Sequence, residues 1–211
     1  MNRPQIIGQA ETSDHFRAGI DILGELFART LGPSAGSVIG ETERTDGYEI
    51  FSDSATMARR ILGLGSPRLD LGAMAMRSVV TQMGQEIGDG GATAAVLMHA
   101  IYRAADRRAA AGINAMQIVR ELQQAADEAI ELIVANTRPA QSEDDLAVLA
   151  RSVVRDPALA AILGELSYLL GADGHVNIRK FVAPYLQRSY LSGAQFKGAI
   201  VRSYLYQDSV Q

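Results

Sequence analysis

The chain has 211 residues, 47% of them hydrophobic and 21% charged, with 20 basic against 24 acidic side chains. That is enough apolar material for one large or two small folded domains, and the charge balance excludes a nucleic-acid binder that works through bulk electrostatics. Cysteine is absent and the three histidines, His15, His99 and His175, are far apart, so a disulfide framework, a thiolate metal site, a cysteine nucleophile and a local zinc motif are all excluded. No run of apolar residues is long enough to span a bilayer and the opening residues lack a long apolar stretch, so the expectation is a cytoplasmic protein with neither membrane nor nucleic-acid partner.

In chain order, Gln5-Ile6-Ile7 is strand-like. Ser13 or Asp14 then offers a cap for a helix running to about Thr30, with Phe16, Ile20, Leu23, Phe27 and Leu31 on one face. Pro33 stops it. Residues 37–40 and 48–51 read as a hairpin turning at Thr45-Asp46-Gly47. Asp53 or Ser54 caps a short helix through Ile61, and Gly63, Gly65 and Pro67 interrupt the chain. Long helices are expected over 69–87 and 92–110. A third starts after Gly112-Ile113-Asn114 and ends before Pro139, with Ile118, Leu122, Ala126, Ile130 and Ile133 as its apolar stripe and Glu121, Asp127, Glu128 and Glu131 solvated. Arg103, Asp106, Arg107 and Arg108 also read as a solvated face. Beyond Pro139, Ser142 caps one short helix and Asp156-Pro157 starts another that ends at Gly171 to Gly174. Val176-Asn177-Ile178 and residues 185–191 look like paired strands.

Gly88-Asp89-Gly90-Gly91-Ala92-Thr93 joins two of the long helices. Its glycines permit a sharp turn and a close backbone approach to a ligand, and the following helix presents free amides and the positive end of its dipole, a natural seat for phosphate. Asp89 suits a magnesium ion bridging phosphate oxygens, and Thr93 offers a hydroxyl. The same loop also fits a plain turn between antiparallel helices with an aspartate cap. It is no Walker loop, because the lysine of that motif is missing.

Thr30-Leu31-Gly32-Pro33, Ser52-Asp53, Gly72-Ala73, Gly88-Asp89-Gly90 through Thr93-Ala94-Ala95-Val96-Leu97, Ala111 to Met116, Gly174 to Ile178 and Gly193 to Phe196 together resemble the amino-terminal portion of a type I chaperonin, the ring-forming ATP-dependent folding machine. The resemblance implies a mainly α fold with small β elements (α+β): an equatorial-like helical unit over 1–137, the first half of an intermediate-like unit over 138–193, and the start of an apical-like segment over 194–211. It implies ATP or ADP with magnesium and potassium as cofactors. Leu31, Gly32 and Pro33 would lie against the nucleotide, and the Thr30 carbonyl near potassium. Asp89 would be the magnesium ligand, Gly90 a phosphate-contacting backbone, and Gly91, Ala92 and Thr93 the rest of the loop. Asp53 would sit near the γ-phosphate and orient water or magnesium, a weak catalytic role beside the family's main catalytic aspartate, which falls beyond Gln211. The implied partners are further copies of the chain or full-length chaperonin subunits, with unfolded clients where an apical domain is present.

The chain departs from the family pattern in its loops. Three threonines follow Gly-Asp-Gly in the family, where this chain has Gly91, Ala92 and Thr93; Ser34, Ser52 and Ser54 replace lysine or glycine in the adjoining turns. Losing two hydroxyls at roughly 1.5–3 kcal/mol each weakens phosphate binding by orders of magnitude. Because the family's second pocket wall also lies beyond Gln211, the expectation is a poor ATPase when this stretch stands alone, with apolar helix faces left uncovered. Three readings follow: a chaperonin or part of one that binds nucleotide, a degenerate relative that acts by association, or an incomplete stretch of a longer polypeptide.

Overall fold

A computed structural model describes residues 8–32, 36–42, 47–154, 156–179, 182 and 184–193. The expected strand at Gln5 to Ile7, Pro33, most of the hairpin turn and the apical-like segment 194–211 lie outside the described residues. Among the described residues the fold is mainly helical with one two-stranded sheet. It divides into two units, Met1–Pro139 and Ala140–Gln211.

The first helix, α1 (Gln9–Ala28), starts earlier than its expected cap. Gly8, in extended backbone, is the N-cap, while Ser13 and Asp14 lie inside the helix. Gln9, Ala10 and Glu11 contain no breaker, so the helix propagates back to the first glycine. There the Thr12 hydroxyl donates to the Gly8 carbonyl at 2.8 Å, and Asp14 instead accepts from Arg17 at 2.7 Å. Strands β1 (Val38–Thr42) and β2 (Gly47–Phe51) pair antiparallel, with Val38 opposite Phe51 and Thr42 opposite Gly47. Gly47 is thus a strand residue rather than part of the turn. Phe51 enters the core, whereas Ile39, Tyr48 and Ile50 are exposed.

Helices α2 (Ser54–Arg60), α3 (Pro67–Glu86) and α4 (Gly91–Ala110) complete the core layer. Pro67 occupies the first turn of α3, where a missing amide costs nothing. Contacts fix the directions. Arg68 at the start of α3 pairs with Glu11, and further along Gly72 lies against the Phe16 carbonyl, so α1 and α3 run side by side in the same sense; they touch through glycines, Gly19 meeting Leu69 and Ala73. Against α4 the order reverses: Arg17 pairs with Asp106 at 2.9 Å, Asp21 with His99 at 2.7 Å, and Gly24 faces the His99 ring. Asp106 is therefore a cross-helix partner, not part of a solvated face. Its carboxylate raises the Arg17 pKa, chiefly through their hydrogen bond. The neighbouring Tyr102 phenol is pushed up by burial against Phe16 and α1. Ile20, Leu23, Phe27, Phe51, Met57, Ala58, Ala73, Met76, Val80 and Ala95 form the core.

Helix α5 (Ala115–Asn136) is capped by Asn114, whose side chain accepts the Met116 amide at 2.8 Å. Only Ile118 of its stripe is buried; Ile130 and Ile133 are 58% and 66% exposed. Glu121, expected to be solvated, pairs with Arg108 of α4 at 2.6 Å.

In the second unit Ser142 and Asp145 form a capping box at the start of α6 (Glu143–Arg151), and Asp156 caps α7 (Pro157–Leu170) through two amides. The helices cross where Gly164 meets Ala147, so closely that a Cβ on Gly164 would lie 2.6 Å from the Ala147 nitrogen. The expected strands at 176–178 and 185–191 are absent among the described residues. Leu186, Tyr190 and Leu191 are all substantially exposed. With no face buried, alternation alone selects no ladder. Among the described residues no helix is long and apolar enough to cross a membrane.

Candidate functional site

The directions of α1, α3 and α4 decide what meets at one end of the first unit. The carboxyl ends of α1 and α3 lie together with the amino end of α4. The turn after α1 and the loop Gly88–Gly90 therefore lie at the same end of the helical layer. The start of α2 joins them: a Cβ on Gly84 of α3 would sit 2.8 Å from Ala55 Cβ, and a Cβ on Gly91 would sit 2.6 Å from Ser54 Oγ. Three segments separate in sequence, 30–32, 53–54 and 88–93, are thus gathered at one end. Pro33 lies outside the described residues, immediately beyond this group.

Each segment has a local cause. Thr30 is 8% exposed, and its hydroxyl donates to the Phe27 carbonyl at 2.8 Å, closing the helix end. Its own carbonyl accepts no hydrogen bond among the described residues. Leu31 is half-exposed, and Gly32 turns the chain at φ 85°, with open space where a side chain would stand. Asp53 is exposed; its Oδ1 accepts the Thr56 amide at 2.7 Å as the cap of α2. The hydroxyl-bearing Thr93 is exposed on the first turn of α4, while Gly91 and Ala92 are buried.

The loop turns on two left-handed glycines, Gly88 at φ 87° and Gly90 at φ 81°. A side chain at Gly88 would meet nothing, so that position is left open. Gly90 is the N-cap of α4 and supplies no side-chain oxygen to the first amides, whose dipole end stays available. Asp89, exposed between the two glycines, is the loop's acidic group.

These residues fit a magnesium–phosphate group in kind. Among the described residues no three metal-binding side chains converge. Magnesium does not require that: it is commonly held by one or two carboxylates, with phosphate and water completing the octahedron. Uncapped amides, an open glycine cradle and a single carboxylate form that donor set. Sequence reasoning treated Ser54 only as a possible cap and a replaced glycine. Its burial against Gly91 was signalled, if at all, by a glycine at a helix start that needs no unusual backbone angle.

The sequence pattern of the TCP-1/cpn60 chaperonin family matches residues 23–167. The chain is 31% identical over 191 residues to "Chaperonin GroEL 1" of Mycobacterium ulcerans, an alignment covering 90% of this chain and 35% of that protein. It is also similar to the crystal structure of a group III chaperonin in the open state, at TM-score 0.61 and 23% identity, over 75% of this chain and 31% of the other. That structural likeness bears on the fold alone. The chain spans about a third of the length of these relatives.

Proposed function

The chain belongs to the TCP-1/cpn60 chaperonin family, and from that premise we propose that its first unit forms one wall of a magnesium–nucleotide pocket serving ATP-dependent protein folding. The supporting observation is the gathering of the 30–32 turn, Asp53 and the Gly88–Thr93 loop at one end of the helical layer. Asp89 holds the cation, the α4 amides face the phosphates, Leu31 and Gly32 border the nucleotide, and Asp53 keeps a second carboxylate oxygen for water or metal. The Thr30 carbonyl is the potassium contact. Magnesium supplies charge neutralisation at the phosphate oxygens when bound. Hydrolysis, ring assembly and client folding belong to the assembled machine, since phosphoryl transfer needs positioning from several sides.

Calorimetric titration with magnesium–ATP tests the site. The expected result is binding in the range of roughly millimolar or tighter, about −4 kcal/mol or stronger, lost in Asp89→Ala. A silent titration at millimolar nucleotide, or an Asp89→Ala variant that binds like the parent, refutes it.

A second reading, association without nucleotide use, is favoured by Gly91 and Ala92 in place of hydroxyls and by the exposed stripe of α5. An exposed apolar face of this kind is a partner surface. Under this reading the chain elutes as an oligomer, or joins full-length chaperonin subunits, on size-exclusion chromatography with no dependence on nucleotide, and Ile130→Glu or Ile133→Glu abolishes the association. A stable monomer indifferent to the full-length ring removes this reading.

A further inference from the structure

The short helix α2 carries Asp53 at its start, and Asp53 Oδ1 is committed to the Thr56 amide, so the carboxylate goes where α2 goes. The last turn of a helix leaves carbonyls without an intrahelical partner. Here the Met57 carbonyl accepts the Ile61 amide at 3.0 Å, but the chain has left the helix before Leu62 could serve the Ala58 carbonyl. Ala58 is fully buried, so water does not serve it either. Its carbonyl is met from α3: Arg77 Nε donates to it at 2.7 Å. Arg77 is half-buried and pairs with no carboxylate among the described residues; its Nη1 approaches the Met74 sulfur at 3.8 Å. A guanidinium taken partly out of water normally meets an anion. In this case the negative end of the α2 dipole stands in that place.

The other contacts of α2 hold it less specifically. At its start, Gly84 against Ala55 and Gly91 against Ser54 are steric contacts. They set how closely the helices approach, but short-range packing of this kind does not by itself stop a short helix from turning or sliding along its axis. At its end Arg60 pairs with Glu49 of β2 at 3.0 Å, through side chains that stay largely in solvent, and such a pair holds weakly. The Arg77 bond is directional and aimed at one buried carbonyl, about one and a half turns along α2 from Asp53.

We infer that Arg77 is a positioning residue for the nucleotide site: by gripping the Ala58 carbonyl it fixes the rotation and height of α2, and so the place of the Asp53 carboxylate. This rests on the nucleotide reading above and adds to it a residue outside the gathered segments.

Magnesium–ATP titrations of the full chain, each run below the variant's melting temperature, test the role. Arg77→Met keeps the stem and removes the donors; it should lower the melting temperature and weaken binding by about ten-fold, the loss of one contact to a charged group. Arg77→Gln, whose amide nitrogen stands as many bonds from Cα as the arginine Nε, should recover most of that affinity. In an Asp53→Asn background Arg77→Met should cost no further affinity, because the charge it places is already gone. Asn114→Ala removes the α5 cap, beyond the far end of α4, and should lower the melting temperature while leaving affinity unchanged, which separates placement from general destabilisation. Should Arg77→Met not fold, Arg77→Lys, which shifts the donor outward, takes its place in the cycle with Asp53→Asn. Parent-like affinity in Arg77→Met, an Arg77→Gln variant as weak as Arg77→Met, losses from positions 77 and 53 that simply add, or an equal loss in Asn114→Ala overturns the positioning role; where Asp89→Ala still abolishes binding, the nucleotide site stands. A parent that is silent toward nucleotide removes the nucleotide reading and this inference with it.

Discussion

Replacing Gly72 by alanine is expected to destabilise the first unit although alanine is the better helix former. In an isolated helix the exchange gains about 0.5–1 kcal/mol. Here the new methyl would fall on the Phe16 carbonyl oxygen, 2.8 Å from the Phe16 carbonyl carbon and 3.0 Å from the Ile20 nitrogen. These are backbone atoms and no rotamer change clears them. The helices α1 and α3 must move apart, and the fully buried Ile20, Leu23, Ala73 and Met76 along the seam lose close contact. Overpacking typically costs 1–3 kcal/mol and occasionally more. A clash with backbone belongs at the upper end, so the net loss is about 2 kcal/mol after the propensity gain. For a unit spanning Met1–Pro139 that corresponds to a fall in melting temperature of roughly 6–10 °C. Thermal and urea unfolding followed by circular dichroism measure it, with Ser78→Ala on the exposed side of α3 as a control expected within about 0.5 kcal/mol of the parent. A Gly72→Ala variant at or above the parent's melting temperature would refute the glycine-mediated contact between α1 and α3, and with it the argument that brings the site segments to one end.

Asp53 has a structural duty separable from any ligand role. Asp53→Ala should cost about 1 kcal/mol by removing the α2 cap, whereas Asp53→Asn keeps the cap oxygen and should leave stability nearly unchanged; equal destabilisation by both variants contradicts this. Glu121 titrates below the ordinary glutamate value, chiefly because the Gln117 amide donates to its carboxylate at 2.9 Å, with Arg108 assisting. Its folded-state pKa is depressed, so its contribution is fully present above the unfolded glutamate pKa and is lost as pH falls through the folded one. Following the Glu121 carboxyl by NMR should show its midpoint rise toward the ordinary value in Gln117→Ala, and an unchanged midpoint would show that the amide is not the cause.

Where local chemistry suffices, the sequence already specifies the element. Asp53, Asn114, Ser142 and Asp156 each cap the helix that follows, because a side-chain oxygen satisfies amides only two or three residues away. The helices over 67–86, 91–110 and 115–136 likewise follow from periodicity and flanking glycines or prolines. Local signals misled where a choice depended on distant partners. Ser13 and Asp14 resemble caps, but Asp14 turns to Arg17 and the helix runs back to Gly8. Tyr185 to Leu191 alternate like a strand but bury no face. Asp106 looks solvated until Arg17 of another helix is placed against it.

By itself, then, the sequence determined the helical composition, the caps, the glycine-framed acidic loop and the resemblance to the chaperonin family, because these depend on residues close together or on an ordered string of short motifs. Only tertiary structure decided that the carboxyl ends of α1 and α3 meet the amino ends of α2 and α4, that α5 keeps most of its apolar stripe exposed, and that Ser54 presses on Gly91. Those outcomes depend on which backbones approach closely enough to touch. Gly19, Gly72 and Gly91 permit that approach, but a glycine in a sequence does not name the atom that will occupy the space it leaves.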